Sequence, residues 1–482
     1  MNYSVVIYIL GWIMEIEAAF LALPGIVSAI YGEKGGFAFL WVALGSAVAG
    51  SAIILRKPKN MRFYLREGFV TVALSWILMS VIGCLPFVIN GDIPHFADAL
   101  FEMISGFTTT GATVVSDVEG LTKGSLFWRS FSPWIGGMGV LVFLLAIVPM
   151  AGGSHMNLMK AESPGPSVGK LVPKVRQTAK YLYIIYFALT MIEVIFLLFG
   201  GMNLFEALTT SFGTAGTGGF AIWNDGFVSV SPYNQWVVTI FMLLFGVNFG
   251  FYFLILTGKL RDALKFEEVR IYFIIVIAAA VFIFINLRHF ALYAPAEGIR
   301  QAFFQVASII TTTGFASADF NLWPETSRTI LVLLMFIGAC AGSTGGGIKV
   351  SRFIIACKSF IKEIISYLHP RSVKKIKIEG KPLEHETLRA TNVYFMTYMV
   401  IFAVSVLLVS IENKDLVTNF AAVAATFNNI GPGLSLVGPM ANFGHFTDFT
   451  KYILMFDMLA GRLEIFPMML LFCPAVWKRR RA

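Results

Sequence analysis

Phe107-Thr108-Thr109-Thr110-Gly111-Ala112-Thr113 is a short run of hydroxyl residues around a glycine, and its pattern occurs four times in the chain. Each copy follows a short apolar stretch with helical spacing and precedes a longer hydrophobic segment. One copy alone is a weak signal, whereas four copies in the same frame indicate an internally repeated fold. The other three copies are Phe212-Gly213-Thr214-Ala215-Gly216, Ile310-Thr311-Thr312-Thr313-Gly314 and Phe427-Asn428-Asn429-Ile430-Gly431.

The composition indicates a membrane protein. Of the 482 residues, 57% are hydrophobic and 13% are charged, whereas a soluble domain carries about 25% charged residues. Many apolar stretches reach the roughly 20 residues that a helix needs to cross a bilayer. Basic loops that orient membrane helices account for the net charge of +9, so we expect no nucleic-acid partner. The first apolar run follows no basic region, so we expect a retained helix there rather than a cleaved signal.

Each repeat is predicted to contain a first span, a short amphipathic stretch, the glycine segment and a second span. At about 12 residues, the short stretches cannot cross a bilayer and are typical of re-entrant pore helices. The first spans are 69–90, 180–200, 271–287 and 391–411, the short stretches are 96–107, 203–213, 299–310 and 416–427, and the second spans are 127–149, 234–257, 327–366 and 448–473.

The predicted fold is therefore an all-α polytopic membrane protein with four membrane–pore-helix–membrane repeats around one pseudo-fourfold pore. Two extra N-terminal helices, at 4–30 and 37–55, precede the repeats. The predicted units are residues 1–66 for these helices, 67–155 for repeat 1, 156–262 for repeat 2, 263–375 for repeat 3 and 376–482 for repeat 4.

The distribution of lysine and arginine predicts the orientation. Five segments hold 28 of the 37 basic residues, and all five lie on one side if every repeat crosses twice and its pore helix only enters and stops. Because basic loops stay on the cytoplasmic side, we expect these segments and both termini to be cytoplasmic. The five segments are 56–66, 150–180, 258–270, 349–389 and 478–481.

The glycine segments have the chemistry of a cation path. Irregular backbone at membrane depth is tolerated only where it is buried in protein or lines an aqueous path. Four such segments can surround one axis with carbonyl and hydroxyl oxygens, and glycine permits the backbone dihedrals that this requires. No acidic residue lies within three positions of any of the four glycines. Neutral dipoles of this kind suit a large, easily dehydrated monovalent cation.

With these segments, a glycine-rich break in repeat 3 and Gly461-Arg462-Leu463-Glu464-Ile465-Phe466-Pro467 in repeat 4, the chain resembles the TrkH/KtrB family of potassium-uptake membrane subunits. The two extra N-terminal helices favour the TrkH side. The resemblance covers nearly the whole chain and implies one pore per chain and a homodimer. It also implies K⁺ as the transported ion, with no organic cofactor in this chain.

The resemblance implies a K⁺ selectivity filter at the glycine segments. Related plant transporters that prefer sodium have serine in the first repeat, so glycine in every repeat favours potassium. The fourth copy departs most from the threonine-rich pattern, which leaves the passage of rubidium or caesium open. The implied filter residues are Thr109, Thr110, Gly111, Thr214, Ala215, Gly216, Thr312, Thr313, Gly314, Asn429, Ile430 and Gly431.

The break in repeat 3 is Gly338-Ala339-Cys340-Ala341-Gly342-Ser343-Thr344-Gly345-Gly346-Gly347. Because so many glycines interrupt a helix, and a break inside the membrane needs a cavity beside it, we expect a loop below the filter. In the family this intramembrane loop is a gate, which assigns that role to Gly342, Ser343, Thr344, Gly345, Gly346 and Gly347. A flexible kink is the alternative.

Arg462 lies inside the last span, where a charge requires a functional or structural reason. The resemblance implies that it contacts the gate loop or repels cations below the filter, and a structural salt bridge with Asp457 or Glu464 is the alternative. The basic stretch 371–377 is either an anchor for anionic lipid or a dock for a regulatory subunit. Family members work with a cytoplasmic nucleotide-binding subunit of the TrkA or KtrA type.

Two other functions are open to test. A symporter coupled to Na⁺ or H⁺ would use acids inside the spans, such as Glu15, Glu17 and Glu193. A membrane enzyme would need a cluster of histidine, aspartate or cysteine at one face, and the six histidines are dispersed along the chain. We therefore expect K⁺ uptake across a bacterial inner membrane and no enzymatic activity.

Overall fold

The computed structural model describes residues 1–59, 64–137, 139, 175–370 and 375–478. Several predicted features therefore lie outside the described residues. They are residues 60–63 of the basic segment 56–66, the end of the span 127–149, the boundary between repeats 1 and 2 at 155, most of the basic segment 150–180, residues 371–374 of the basic stretch and residues 479–481.

The regular secondary structure of the described chain is helical apart from one two-stranded hairpin, in which Lys377 pairs with Pro382. The helices are α1 Tyr3–Ile30, α2 Gly36–Ile54, α3 Leu65–Asn90, α4 Phe96–Phe107, α5 Lys123–Gly137, α6 Val175–Phe199, α7 Leu204–Ala215, α8 Pro232–Phe245, α9 Phe249–Leu256, α10 Leu260–Ala263, α11 Glu267–His289, α12 Pro295–Ile310, α13 Glu325–Met335, α14 Val350–Leu368, α15 His385–Val409, α16 Leu416–Phe427, α17 Asp448–Arg462, α18 Phe466–Leu471 and α19 Pro474–Trp477. The strands are β1 Lys377–Ile378 and β2 Lys381–Pro382.

This order confirms the all-α membrane fold with four repeats and two N-terminal helices. Six described helices are long and apolar enough to cross a membrane, and the bent pair α8–α9 makes a seventh if it counts as one span. The first helices of the repeats are α3, α6, α11 and α15. The two N-terminal helices pack closely because Gly11 and Gly50, which have no side chain, lie between them. A Cβ on Gly50 would lie 2.9 Å from the Gly11 carbonyl oxygen.

The pore helices α4, α7, α12 and α16 are enclosed by protein at their C-terminal ends. Their last turns are entirely buried, over Ala99–Phe107, Thr209–Ala215, Phe304–Ile310 and Ala421–Phe427. At 12 to 16 residues, none of them is long enough to cross a bilayer. Protein therefore surrounds the point at which each helix ends, as irregular backbone at membrane depth requires.

In the described residues the second helix is broken in repeats 2, 3 and 4, whereas the sequence predicted a break in repeat 3. In repeat 2, α8 and α9 meet at an angle of 89° at residues 246–248. In repeat 3, residues 336–349 separate α13 from α14. In repeat 4, α17 ends at Arg462, and Glu464 and Ile465 adopt positive φ (61° and 68°) before α18 begins.

Candidate ion-conduction site

All four pore helices end in the same backbone turn. The residue before a glycine donates its N–H to the carbonyl five positions earlier, over 2.8–2.9 Å. The residue two positions before that glycine has a φ of 53–58°, and the glycine itself has a φ of 60–96°. The four turns are Thr109-Thr110-Gly111, Thr217-Gly218-Gly219, Thr312-Thr313-Gly314 and Asn429-Ile430-Gly431.

The sequence analysis placed the turn of repeat 2 three residues too early, at Thr214-Ala215-Gly216 instead of Thr217-Gly218-Gly219. Thr214 and Ala215 are the last residues of α7, and Gly216 follows them with a right-handed φ of −71°. Gly216 therefore corresponds to Thr108, Thr311 and Asn428, each of which directly follows its pore helix. The sequence contained a usable signal, because phenylalanine follows glycine in both Gly219-Phe220 and Gly314-Phe315.

The four turns close a ring of backbone atoms. A Cβ added to each turn glycine would meet the carbonyl oxygen of the residue before the next repeat's turn glycine. Since these glycines also have positive φ, any side chain there is disfavoured twice, by the dihedral and by the contact. The four pairs, in order around the ring, are Gly111 with Gly218, Gly219 with Thr313, Gly314 with Ile430, and Gly431 with Thr110.

One side of the ring opens into a cavity of about 130 Å³, lined by residues of all four repeats that include Gly111, Gly219, Gly314 and Gly431. We call it the vestibule. None of the twelve turn residues is charged, and the pore helices direct their C-terminal ends, with their partial negative charge, towards the ring. The ring can therefore offer neutral oxygen atoms and helix dipoles to a cation that has lost its water.

The predicted gate loop lies directly beside the ring. The Gly346 N–H donates to the Thr312 hydroxyl over 2.6 Å, and a Cβ on Gly345 would meet the Thr311 carbonyl oxygen at 2.9 Å. The loop is also held by the break in repeat 2, where the Phe249 N–H donates to the Gly342 carbonyl over 3.0 Å. The structure therefore brings the residues of this loop and of the turns together.

Arg462 joins this loop to repeat 1. Its guanidinium donates to the Thr344 carbonyl over 2.9 Å and to the Gly136 carbonyl over 2.7 Å.

The two acids expected to pair with Arg462 have other partners. Glu464 forms an ion pair with Arg352, and Asp457 accepts a hydrogen bond from the Ser405 hydroxyl over 2.7 Å. Lys349 is a second basic residue at the loop; its side chain is buried, and its ammonium donates to the Gly345 carbonyl. Basic side chains thus contact two consecutive carbonyls of the loop.

Glu268, at the start of α11, was missed by the sequence analysis. One oxygen of its buried carboxylate accepts the N–H of Ala341 over 2.7 Å and the N–H of Ser351 over 3.1 Å. These two residues lie on opposite sides of the glycines at 342–347, so a single carboxylate holds both ends of the gate loop. An acid near the end of a span gave no sequence signal for this role, because its partners are backbone groups about 80 residues away.

The neighbouring Glu267 connects the same helix end to the hairpin. Its carboxylate pairs with Lys358 on α14 over 2.5 Å. The Lys358 ammonium also donates to the Lys377 carbonyl of β1 over 2.8 Å. The first two residues of α11 therefore contact the gate loop, the helix that follows it and the hairpin.

Comparisons with known proteins agree with this geometry. The family model described as TrkH, cation transport protein, matches residues 37–479, and it represents a transport family rather than an enzyme family. The Trk system potassium uptake protein TrkH of Escherichia coli (strain K12) is 36% identical over 99% of this chain and 100% of its own length. The Trk system potassium uptake protein TrkG of the same strain is 31% identical over 99% of this chain and 99% of its own length. The crystal structure of the potassium transporter TrkH from Vibrio parahaemolyticus superposes with a TM-score of 0.89 at 32% identity, covering 99% of this chain and 100% of that one.

Replacing Glu268 by alanine is expected to loosen the gate loop. Two backbone N–H groups lose a charged acceptor, and a hydrogen bond to a charged group contributes roughly 1.5–3 kcal/mol. We expect amide hydrogen exchange in residues 336–351 to accelerate by about tenfold or more, measured by mass spectrometry on the protein in nanodiscs. The control is Glu267→Ala, which removes an adjacent carboxylate with no contact to the loop glycines and should leave their exchange unchanged. If amide hydrogen exchange in the loop is equally fast in Glu268→Ala and in the unmodified protein, Glu268 does not hold the two ends of the loop.

Proposed function

Because the chain belongs to the TrkH family of cation transport proteins, we propose that it takes up potassium across a bacterial inner membrane. The observation that carries this proposal is the closed ring of four turns, in which neutral backbone oxygens from four repeats surround one axis. The related proteins named as potassium uptake proteins match this chain over nearly its whole length. Their name supports K⁺ as the ion that passes through the ring.

We infer that the twelve turn residues form the K⁺ selectivity filter. Repeats 1, 3 and 4 keep the residues expected from the sequence, and repeat 2 contributes Thr217, Gly218 and Gly219 in place of Thr214, Ala215 and Gly216. Potassium is the cargo, and the proposal involves no organic cofactor. Neutral carbonyl and hydroxyl groups replace the hydration shell of K⁺ without binding it too strongly to leave.

The membrane potential is sufficient to drive inward flow. Moving one elementary charge across a membrane releases about 2.3 kcal/mol per 100 mV, so the proposed path needs no hydrolytic step of its own. The orientation that fits this direction places the vestibule outside. The basic segments and both termini would then be cytoplasmic, as the distribution of lysine and arginine predicts.

The gate in this proposal is the loop at 342–347 together with Arg462. The loop contacts the filter at Thr312, and Arg462 binds the Thr344 carbonyl, so a fixed positive charge lies close to the ion path. A cation that leaves the filter must pass this charge, or the loop and the arginine must move aside. Opening therefore requires breaking named hydrogen bonds, which a regulatory subunit can favour.

We propose that the functional assembly is a homodimer with a cytoplasmic nucleotide-binding subunit of the TrkA or KtrA type. The name of the related proteins refers to a Trk system, which supports more than one component. The basic stretch 371–377 is the proposed dock, and only its last three residues are described. They lead into the hairpin, which Lys358 connects to α11. Contact with anionic lipid is the alternative role for this stretch.

Two buried carboxylates favour a second candidate function, a K⁺ symporter coupled to Na⁺ or H⁺. The Glu17 side chain is buried, and neither of its oxygens has a hydrogen-bond partner among the described residues. Glu193 is also fully buried inside a membrane helix. Glu15, the third acid considered, accepts a hydrogen bond from the Ser51 hydroxyl over 2.6 Å. Buried acids within membrane helices are frequent parts of ion and proton paths.

Filter glycines should not tolerate serine. At Gly111 a Cβ would lie 2.5 Å from the Gly218 carbonyl oxygen, so Gly111→Ser displaces an oxygen of the proposed filter. Gly314→Ser should act in the same way on Ile430. We expect each variant to lower the K⁺/Na⁺ permeability ratio by about tenfold or more, since a loss of ~1.4 kcal/mol in discrimination is tenfold. The measurement is the bi-ionic reversal potential of the reconstituted protein.

Gly45→Ser is the matched control, because no atom lies within 4 Å of the position its Cβ would take. It should retain the original ratio. If the filter variants fold, conduct and keep the original K⁺/Na⁺ preference, the filter assignment is wrong.

Removing the gate should increase basal K⁺ flux. Deletion of residues 342–347, or Arg462→Gln, removes the obstruction or its fixed charge, and we expect flux into proteoliposomes to rise several-fold, since about 1 kcal/mol of barrier changes a rate roughly fivefold. Arg270→Gln is the control, because it removes an exposed positive charge at the start of α11 without touching the loop. Unchanged flux in both gate variants would refute the gate.

Reversal potentials also separate the two candidate functions. A channel-like protein in a bilayer with a K⁺ gradient should reverse at the K⁺ equilibrium potential, whatever Na⁺ or pH gradient is added. A symporter would shift its reversal potential with the coupled ion, and Glu17→Gln or Glu193→Gln should abolish that shift. A potential that tracks Na⁺ or pH in the unmodified protein would therefore overturn the channel-like mechanism.

A further inference from the structure

A buried carboxylate stands behind the filter of repeat 1. Glu102 on α4 is fully buried, and its oxygens accept the Val114 N–H over 3.0 Å and the Thr113 hydroxyl over 2.9 Å. Thr113 and Val114 lie two and three positions after the filter glycine Gly111. We call the residues that directly follow a filter glycine the exit strand of that repeat, because the polypeptide leaves the filter there. The name refers to the course of the chain and not to the direction of ion flow. Glu102 therefore fixes the exit strand of repeat 1.

Arg129 extends this contact into repeat 2. Its Nε donates to Glu102 over 2.8 Å, and its side chain is 2% exposed. The guanidinium lies 4.4 Å from the centroid of the Phe220 ring and donates to the Ala221 carbonyl over 3.4 Å. Phe220 and Ala221 are the first two residues of the exit strand of repeat 2. One buried ion pair thus connects the exit strands of two neighbouring repeats beside the vestibule, which Arg129 also lines.

Repeat 3 shows that the charge is not needed to hold a repeat's own strand. Gln305 lies nine positions before Gly314, as Glu102 lies nine before Gly111. In the orientation that satisfies its partners, the Gln305 amide oxygen accepts the Ser317 N–H over 2.9 Å, and Ser317 is three positions after its glycine, as Val114 is. A neutral amide therefore suffices for that contact. The carboxylate in repeat 1 serves the additional contact with Arg129.

In the described part of repeat 2, no carboxylate or amide of its own pore helix supports the exit strand in this way. Thr210 occupies the position nine residues before Gly219, and its side chain is too short to reach the exit strand in the way that a glutamate or glutamine does. The external contact through Arg129 takes its place. Only an arginine can make it, because the planar fork donates to a carboxylate and a carbonyl at once while stacking on an aromatic ring.

We propose that the Glu102–Arg129 pair determines ion selectivity by holding the exit strands of repeats 1 and 2 in register, and so fixing the width of the filter between Gly111 and Gly219. This inference rests on the proposed function, because it assigns the pair to the same filter. Both residues are positioning residues, since each acts through the backbone of the filter. A buried ion pair contributes little net stability compared with a well-packed apolar pair, so its specific geometry is the better explanation for its presence.

The test compares selectivity with folding. Arg129→Lys keeps the positive charge beside Glu102 but loses the fork that reaches Ala221. We expect it to be recovered in the membrane at the original level and to lower the K⁺/Na⁺ permeability ratio about tenfold. Glu102→Gln retains an acceptor for the Val114 N–H and releases Arg129, so it should lower the ratio as well. Arg328→Lys is the matched control, because its ion pair with the exposed Glu325 is remote from the exit strands of repeats 1 and 2.

A double variant removes the risk that an unpaired charge prevents folding. Glu102→Gln with Arg129→Gln leaves no buried charge without a partner, and it should fold with the same reduced ratio. A folded Arg129→Lys or double variant that keeps the original ratio overturns the inference, as does a variant in which total flux falls but the ratio stays constant. Gly111→Ser is measured in parallel. If it lowers the ratio while the Arg129 variants do not, the filter assignment stands and only the pair's role is wrong.

Discussion

The contact between each turn glycine and a carbonyl of the next repeat is the constraint on which the rest of the structure depends. The contact leaves no room for a Cβ, and it occurs four times around one axis. The ring can close only if every pore helix ends at the same depth with the same turn, which the four matching hydrogen bonds show. The pore helices must then be short and enclosed by protein, so the long helices of the repeats pack around them rather than around each other.

The ring of four turns is symmetric in its backbone, but the side chains that support it differ from repeat to repeat. Repeat 1 uses the Glu102 carboxylate, repeat 3 the Gln305 amide. Repeat 4 depends on Asn429, whose side chain donates to the Thr110 hydroxyl of repeat 1 over 3.0 Å. Among the described residues, Thr312 of repeat 3 is the one turn residue whose hydroxyl accepts a hydrogen bond from the loop at 342–347. A fourfold ring is therefore held by four different side-chain arrangements, and a substitution at equivalent positions need not have equivalent effects.

The sequence predicted the elements of this fold better than it predicted the contacts between them. Apolar length and the recurring glycine segments placed the first spans and pore helices close to their observed positions, because both depend on local pattern. The frame of repeat 2 failed because two glycines, Gly216 and Gly219, compete for one role, and only the end of α7 at Ala215 decides between them. The break at 246–248 was missed although Asn248, whose side chain caps α9, is a local signal for it. The contacts of this break with the loop at 342–347 come from a distant part of the chain and have no local pattern.

Glu268 and Arg129 could not be found from the sequence for the same physical reason. Each acts on backbone groups of a segment far away in the chain. Because residues of nearly every type carry these groups, the amino-acid sequence does not reveal such a contact. Arg129 reaches Ala221 across 92 positions, and Glu268 reaches Ser351 across 83. Periodicity and spacing report on local structure, so the groups that hold the filter and the loop in place become visible only when the repeats are assembled.

The two adjacent glutamates at the start of α11 have a thermodynamic consequence. Glu268 holds the gate loop, and Glu267 reaches the hairpin through Lys358. A ligand on the hairpin that shifts this helix end must change the stability of the loop. Since linkage is reciprocal, the state of the loop must change the affinity of that ligand by the same factor. The conformation of the loop and the binding of a ligand to the hairpin would then be coupled, so that measuring either one would report on the other.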